Sequence, residues 1–563
     1  LAGRLPRSPP RHDIDRLIGP AVAVSRIAGE SWALAQVARA GGLSPMPIRR
    51  LGAITRAMRR YGSVGAAVTI AAARHGDRIA LIDERGPVSF AELEARSNAV
   101  ANDWRRRGLR AGDGVGILAR NHRGFLDALF AAAKSGARII LLNTDFGSAQ
   151  LQEVARREGA DLLVHDAEYA DAVAGVDVRL GCMLAWSEDP AHNSLEALIG
   201  DGDPWPPPKP AAPAQVVILT SGTTGTPKGA PRSEPRSLMP AGGLLSKAPF
   251  RAREITECAV PLFHALGFGQ AMLGLLLGST LVVRRRFDPR QTLESLSKHH
   301  ATALIAVPIM LRRMIDLGSE AWTGNPRESL RIVFVAGSQL GSKLCREAMG
   351  AFGPVIYNMY GSTEVAYATV ATPRDLTVEP GCVGRVVPGA VVKLFDDAGY
   401  PLPRGHQGRI FVANRIQFNG YTGGGTKELI DGLMATGDVG HFDDAGRLFV
   451  DGRADDMIVS GGENVFPAEV EEALAAHPGI LEAAVIGVPD DEYGQRVRSF
   501  VVARRDVGLT EQDVKDYVRQ QLARFKVPRD VVFVDALPRN ATGKVVKRLL
   551  DADTQGGRRD NGL

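Results

Sequence analysis

Short apolar runs that read as buried strands, each followed by a polar loop or an amphipathic stretch, recur along most of the chain. This alternation narrows the fold more than any other feature. RIALID at 78–83 precedes SFAELEARSNAVANDWRRRG, a helix in which Ser89 and Glu92 have the spacing of a capping box. DGVGILAR, GFLDALFAAAKSG and RIILLN continue as strand, helix, strand; after the proline-rich connector DPWPPPKPAAP at 203–213 come QVVILT, ALIAV, RIVFVAG and VIYNM. The predicted class is α/β.

Ligands of open α/β sheets gather beyond the carboxyl ends of strands, so the loops after QVVILT, RIVFVAG and VIYNM are where chemistry is expected. The first of them reads SGTTGTPKG, residues 221–229. Its glycines let successive N–H groups converge on one point, and its hydroxyls and lysine add donors and charge, a combination suited to phosphate. GxxxxGK[ST] would need glycine at 227 and lysine at 228 followed by Ser or Thr, whereas Pro227, Lys228 and Gly229 stand here. GTPases and AAA-type motors are therefore disfavoured. A plain flexible turn is the alternative, and nine residues of this composition after a buried strand argue against it.

At 563 residues and 45% hydrophobic content, the chain can bury a large core and form two or more domains. DGRADD at 451–456 is a charged break, after which PAEVEEALAAHPG, LEAAVIGV, RVRSFVVAR and TEQDVKDYVRQQLARF suggest a small α+β unit. The expected division is a basic, partly helical arm at 1–64, a large domain at 65–452 and a small domain at 453–563. Residues 1–60 carry a net charge of +8, leaving −3 for the remainder, so the basic balance belongs to the arm. Within it, PIRRLGAITRAMRRY places Ile48, Leu51, Ile54 and Met58 on one helical face, with Arg49, Arg56, Arg59 and Arg60 largely opposite. Docking of the apolar stripe on the protein's own body is favoured over contact with an anionic membrane surface, which stays open. No membrane span and no cleavable leader are expected. Four widely spaced cysteines without a CxxC pair suggest neither zinc nor dithiol chemistry and fit a reducing cytosol.

LTSGTTGTPKG resembles the phosphate-loop signature of the adenylate-forming enzymes, which include acyl-CoA synthetases, luciferases and peptide-synthetase adenylation domains. Further stretches match that family in order: PLFHALG at 261–267, YGSTE at 360–364, TGD at 436–438, GRADDMIVSGGENVFPAEVE at 453–472 and PRNATGK at 538–544. The resemblance covers roughly residues 65–550. It implies a large N-terminal adenylate-forming domain of layered sheets and helices plus a small, mobile α+β C-terminal domain.

The resemblance also implies roles. Thr220, Ser221, Gly222, Thr223, Thr224, Gly225 and Lys228 would cradle the β- and γ-phosphates of ATP, with Glu364 as ligand to Mg2+. Tyr360 is similar to the aromatic wall of the adenine pocket, with Gly337 and Ser338 of the 336–339 stretch opposite; Asn358, Gly361 and Thr363 complete the nucleotide set. Asp438 would accept hydrogen bonds from the ribose hydroxyls, joined by Arg453. His264 falls beside the acyl pocket as a candidate catalytic residue, with a structural role the plainer alternative. Lys544 is the catalytic cation of the small domain. Asp455 matches the hinge, and Gly462 a glycine lining the pantetheine tunnel of members that use coenzyme A.

The activity so implied is two-step activation of a carboxylic acid, expected to be a medium- or long-chain fatty acid, through acyl-AMP to acyl-CoA. SGGENVFPAEVEEAL and LPRNATGKV are similar to bacterial fatty-acyl-CoA ligases, and the apolar run AMLGLLLG after His264 suits an alkyl wall. Leu219, where many relatives carry tyrosine, and Met434, where an aromatic is frequent, depart from the family pattern. A fatty-acyl-AMP ligase feeding a carrier protein, an aryl-acid CoA ligase and a catalytically silent nucleotide-binding homologue are the alternatives. The resemblance implies a cytoplasmic enzyme with no nucleic-acid partner and leaves an oligomer open.

Overall fold

A computed structural model describes residues 20–43, 48–188, 193–220, 227–232, 237–322, 328–460, 463–490, 492–504, 507–541 and 543–550, without the side chains of 20–25, 48–51 and 321. Four sheets organise the described residues. One has nine strands, with Ile356–Tyr360, Ile332–Val335, Ala303–Ala306, Ile255–Cys258, Thr280–Val283 and Ile79–Asp83 running parallel in that order. A six-stranded sheet carries Ala160–Asp166, Gly114–Leu118, Arg138–Leu141 and Gln215–Leu219 in parallel, with Gly229–Arg232 antiparallel at its edge.

The strands named from the sequence are all present. Each central one is an apolar run buried on both faces, as parallel sheets require. Ser89 caps the helix Phe90–Arg106 by accepting the Glu92 N–H at 3.1 Å. Trp104 on that helix is buried, and its Nε1 lies 3.2 Å from the Met183 sulfur.

Two further sheets follow. One holds Ala390–Phe395, Gly408–Asn414, Leu433–Phe442 and Leu448–Arg453. The other, in the small domain, holds Ile458–Ser460, Gly494–Ala503 and Ile480–Asp490 with Asp530–Phe533 alongside. Its helices Pro467–Ala476 and Glu511–Gln521 pack Val470, Leu474, Val514 and Val518 onto Val485 and Val501, a core separate from that of the large domain. A body with its own core can move as a unit.

The N-terminal segment is docked. The helix Pro20–Arg39 lies against Met239–Lys247, where Glu30 accepts from Ser237 Oγ and from the Leu238 N–H and pairs with Arg415. The next helix, Ile48–His75, is kinked at Gly62 and runs through the change of texture at residue 65. Its buried side is rotated from the expected stripe: Ala57 and Tyr61 are inside while Met58 faces solvent. Tyr61 and Arg60 donate to the Pro207 carbonyl of the proline-rich connector, which explains why an arginine expected on the polar face turns inward. No helix among the described residues is long and apolar enough to cross a membrane.

Candidate active site

Strands ending at Leu219, Val335 and Tyr360 bring three loops to one edge of the large domain, as expected for an α/β sheet. Thr220 closes the first loop, its N–H and hydroxyl both donating to the Lys228 carbonyl at 2.9 and 3.2 Å. The positions Ser221, Gly222, Thr223, Thr224 and Gly225 lie outside the described residues, as does Gly462. Lys228 is exposed, with its ammonium 5.3 Å from the centre of the Tyr421 ring.

Tyr421 is a residue the sequence reading missed. Its hydroxyl donates to Glu364 Oε1 at 2.9 Å, and Ser362 Oγ donates to Oε2 at 2.9 Å, so both oxygens of the carboxylate are oriented. Burial and the Glu364 charge hold the phenol of Tyr421 well above its usual range, keeping it a donor. The glycine-rich GYTGGG around it was the available signal. Arg232 is half-buried behind this group, donating to the Thr363 carbonyl at 2.5 Å and to that of Ile416 at 3.3 Å. Burial pulls it down to about 10, against the opposing charge of Glu364.

Among the described residues no three His, Cys, Asp or Glu side chains cluster to hold an ion. Glu364 is thus a carboxylate outside any such cluster, beside a phosphate-suited loop. That is the donor set magnesium uses when phosphates and water supply its remaining ligands.

The residues expected to bind nucleotide converge on the second and third loops. Gly337 and Ser338 follow the strand ending at Val335, and buried Asn358 sits beside Val335 in register. Tyr360 donates to Asp438 Oδ2 at 2.5 Å, and Gly361 and Thr363 continue its loop. Asp438 and Arg453 are register partners on adjacent antiparallel strands, and Arg453 Nη1 reaches Asp438 Oδ1 at 3.4 Å. Burial pushes the Asp438 carboxyl up, while Tyr360, Arg453 and Lys544 pull it down. Asp455 takes a second bond from Arg453 at 2.8 Å on the exposed segment that leads to the small domain.

Lys544 reaches this group from the other domain. It follows a hairpin turn in which Asn540 Oδ1 accepts the Lys544 N–H at 3.0 Å and Arg539 holds the Gly543 carbonyl at 2.6 Å. Lys544 is exposed; desolvation at its position and the neighbouring Arg453 charge hold the ammonium below the usual lysine range, with Asp456 and Asp438 opposing. Asp145 of the large domain accepts the Ala541 N–H of the same turn.

His264 precedes the helix Ala265–Leu277; its Nε2 is buried without a partner, and burial pulls the ring down to about 4, so it is neutral near pH 7. The segment before it is pinned by buried Asn121, which donates to the Val260 carbonyl at 2.8 Å and accepts the Leu262 N–H at 2.7 Å. No spacing in the sequence pointed to Asn121.

A small-domain lysine near Asp438 and Arg453 of the large domain, beside a phosphate-suited loop, is the arrangement of an enzyme assembled from two domains. Residues 68–422 match the AMP-binding enzyme family and 469–544 the AMP-binding enzyme C-terminal domain, and the chain belongs to this adenylate-forming family. It is 33% identical to a feruloyl-CoA synthase of Amycolatopsis sp. over 468 residues, covering 82% of this chain and 92% of that one. It is 30% identical to the fatty acid–[acyl-carrier-protein] ligase ScoC of Streptomyces coeruleorubidus over 490 residues, covering 84% and 92%. Among solved structures it is similar to o-succinylbenzoate CoA synthetase (MenE) of Bacillus subtilis in complex with the acyl-adenylate intermediate OSB-AMP. That match has a TM-score of 0.77 and 26% identity, and covers 88% of this chain and 99% of that one.

Proposed function

We propose that the protein is an ATP-dependent acid–CoA ligase whose acid is a medium- or long-chain fatty acid. The observation that carries the reading is the Lys544 turn seated on the large domain, with Gly543 packed so closely on Ile309 that an added methyl would lie 2.4 Å away, and Lys544 near Asp438 and Arg453. The acid's carboxylate attacks the α-phosphorus of ATP, forming the acyl–phosphate bond and expelling pyrophosphate. Lys544 offsets the negative charge that collects on the carboxylate and α-phosphate oxygens. The hydroxyls and N–H groups of the 220–228 loop, with Lys228, hold the departing phosphates. Glu364 would hold magnesium, which offsets phosphate charge when bound.

Asp438, steadied by Tyr360 and Arg453, takes the ribose hydroxyls, and the Tyr360 ring forms a wall for the adenine. In the second step the CoA thiol attacks the acyl carbonyl and AMP leaves. Lys544 occupies that approach, so its turn must withdraw, with Asp455 as the hinge and Gly462 beside the thiol's path. Neutral His264 lies on the acyl side.

The apolar helix Ala265–Leu277 supports an alkyl chain as the acid's body. An aromatic acid is the second reading, favoured by the feruloyl-CoA synthase relative. Mass spectrometry of products from Mg-ATP and short, medium, long and aromatic acids, with and without CoA, tests both. Acyl-CoA and AMP from fatty acids only in the presence of CoA is the expected result. Turnover confined to aromatic acids would establish the second reading, acyl-AMP persisting despite CoA would point to a carrier-protein acceptor, and no turnover would refute the ligase.

A further inference from the structure

Glu158 is fully buried at the end of the helix Ser148–Arg157, far in sequence from every motif in the site. Its Oε1 accepts from Arg157 at 3.0 Å and from Thr422 Oγ1 at 2.8 Å; its Oε2 has no hydrogen-bond partner among the described residues. Removing a carboxylate from water costs several kcal/mol, so a half-satisfied one is a poor device for stability alone.

What it touches is the frame of the phosphate loop. Arg157 also donates to the Pro227 carbonyl at the loop's exit. The Thr422 N–H donates to the Gly229 carbonyl at 3.0 Å, where the loop ends and the next strand begins. Gly229 leaves the room this needs: a methyl there would lie 2.7 Å from both Glu158 Oε2 and Thr422 Oγ1. The neighbour of Thr422 is Tyr421, which orients Glu364 and lies beneath Lys228. One buried carboxylate thereby joins the exit of the phosphate loop to the segment that aims the candidate metal ligand.

We infer that Glu158, with Arg157 and Thr422, is a positioning group that sets the phosphate loop and Tyr421 in register for the triphosphate. It touches neither nucleotide nor acid, and acts through Pro227, Gly229 and Tyr421. The inference rests on the ligase reading above. It confines the effect of losing the group to the step that uses ATP.

The test compares wild type with Glu158→Gln, Thr422→Val and Thr422→Ser, using an acid that wild type turns over. KM and kcat for Mg-ATP are read from acid-dependent ATP–pyrophosphate exchange, and the second step from a synthetic acyl-adenylate of that acid plus CoA. Glu158→Gln and Thr422→Val should each raise KM for Mg-ATP about tenfold while the second step stays within about twofold, the Glu158→Gln/Thr422→Val pair should be no worse than either alone, and Thr422→Ser should restore the wild-type value. If Glu158→Gln does not fold, the Thr422 pair decides. An unchanged KM in an active enzyme would overturn the inference, as would both half-reactions falling together without rescue by serine. No exchange by wild type with any acid would instead overturn the ligase reading beneath it.

Discussion

Replacing Gly543 by alanine probes the contact that delivers Lys544. Gly543 has φ of +78°, and an added methyl would sit 2.4 Å from Ile309 Cγ2 and 3.4 Å from Val307 Cγ2 on the large domain. The dihedral penalty, about 1–2 kcal/mol for an L-residue in the left-handed region, applies wherever the small domain sits and cancels between poses. The overlap with Ile309 exists only when the turn is seated on the large domain, and inserting a methyl into a packed contact costs about 1–3 kcal/mol. Shifted by that amount, the seated pose loses about 5–150-fold in population.

Adenylation, measured by pyrophosphate exchange at saturating Mg-ATP, should fall within that range, near tenfold. Thioester formation from supplied acyl-AMP should change by less than about twofold. Ile309→Ala in the same chain should recover most of the lost adenylation, since it removes the atom struck. Equal losses in both half-reactions, or no recovery in the double variant, would refute the reasoning.

Tyr421→Phe frees one oxygen of Glu364, and the magnesium concentration for half-maximal adenylation should rise several-fold, read from a titration at fixed ATP. Lys544 acts as a cation and its pKa lies below the usual lysine value, so adenylation should fall as pH rises through that pKa; Lys544→Arg should shift this alkaline limb upward in a pH–rate profile. His75 and His264 are each pulled down to about 4 from 6.5 with buried, unpartnered Nε2 atoms. Protons bind the unfolded chain first, so the stability they support is full above pH 6.5 and is lost as pH falls toward 4, on the order of 3 kcal/mol for buried His264 and less for half-buried His75, where solvent screens the neighbouring charges. His264→Phe should flatten the dependence of the thermal midpoint between those pH values.

The parallel strands were legible because a strand buried on both faces is an uninterrupted apolar run; the 221–229 loop was proposed for phosphate from its composition. Much of the third sheet was not, since Ala390–Phe395 alternates half-buried and exposed positions over its first four residues and reads as surface. The helix Ile48–His75 was cut short in the reading because Gly62 and the change in charge pattern imitate an end, whereas the fold accepts a kink there. Met58 was assigned inward on strict helical spacing, which a tertiary contact of Tyr61 with Pro207 overrides. Among the proposed site residues, Asp438 and Lys544 were named through ordered motifs. The bond between Glu158 and Thr422 joins positions 264 residues apart, and no local pattern encodes such a pairing.

The most direct test of the account is Lys544→Ala measured in both half-reactions, with the Thr220–Lys228 loop and Asp438 left intact. The account predicts adenylation slowed by roughly 10²-fold, the usual cost of losing one transition-state donor, with thioester formation from supplied acyl-AMP largely preserved. Equal loss in the two half-reactions, or adenylation at the wild-type rate, would contradict it.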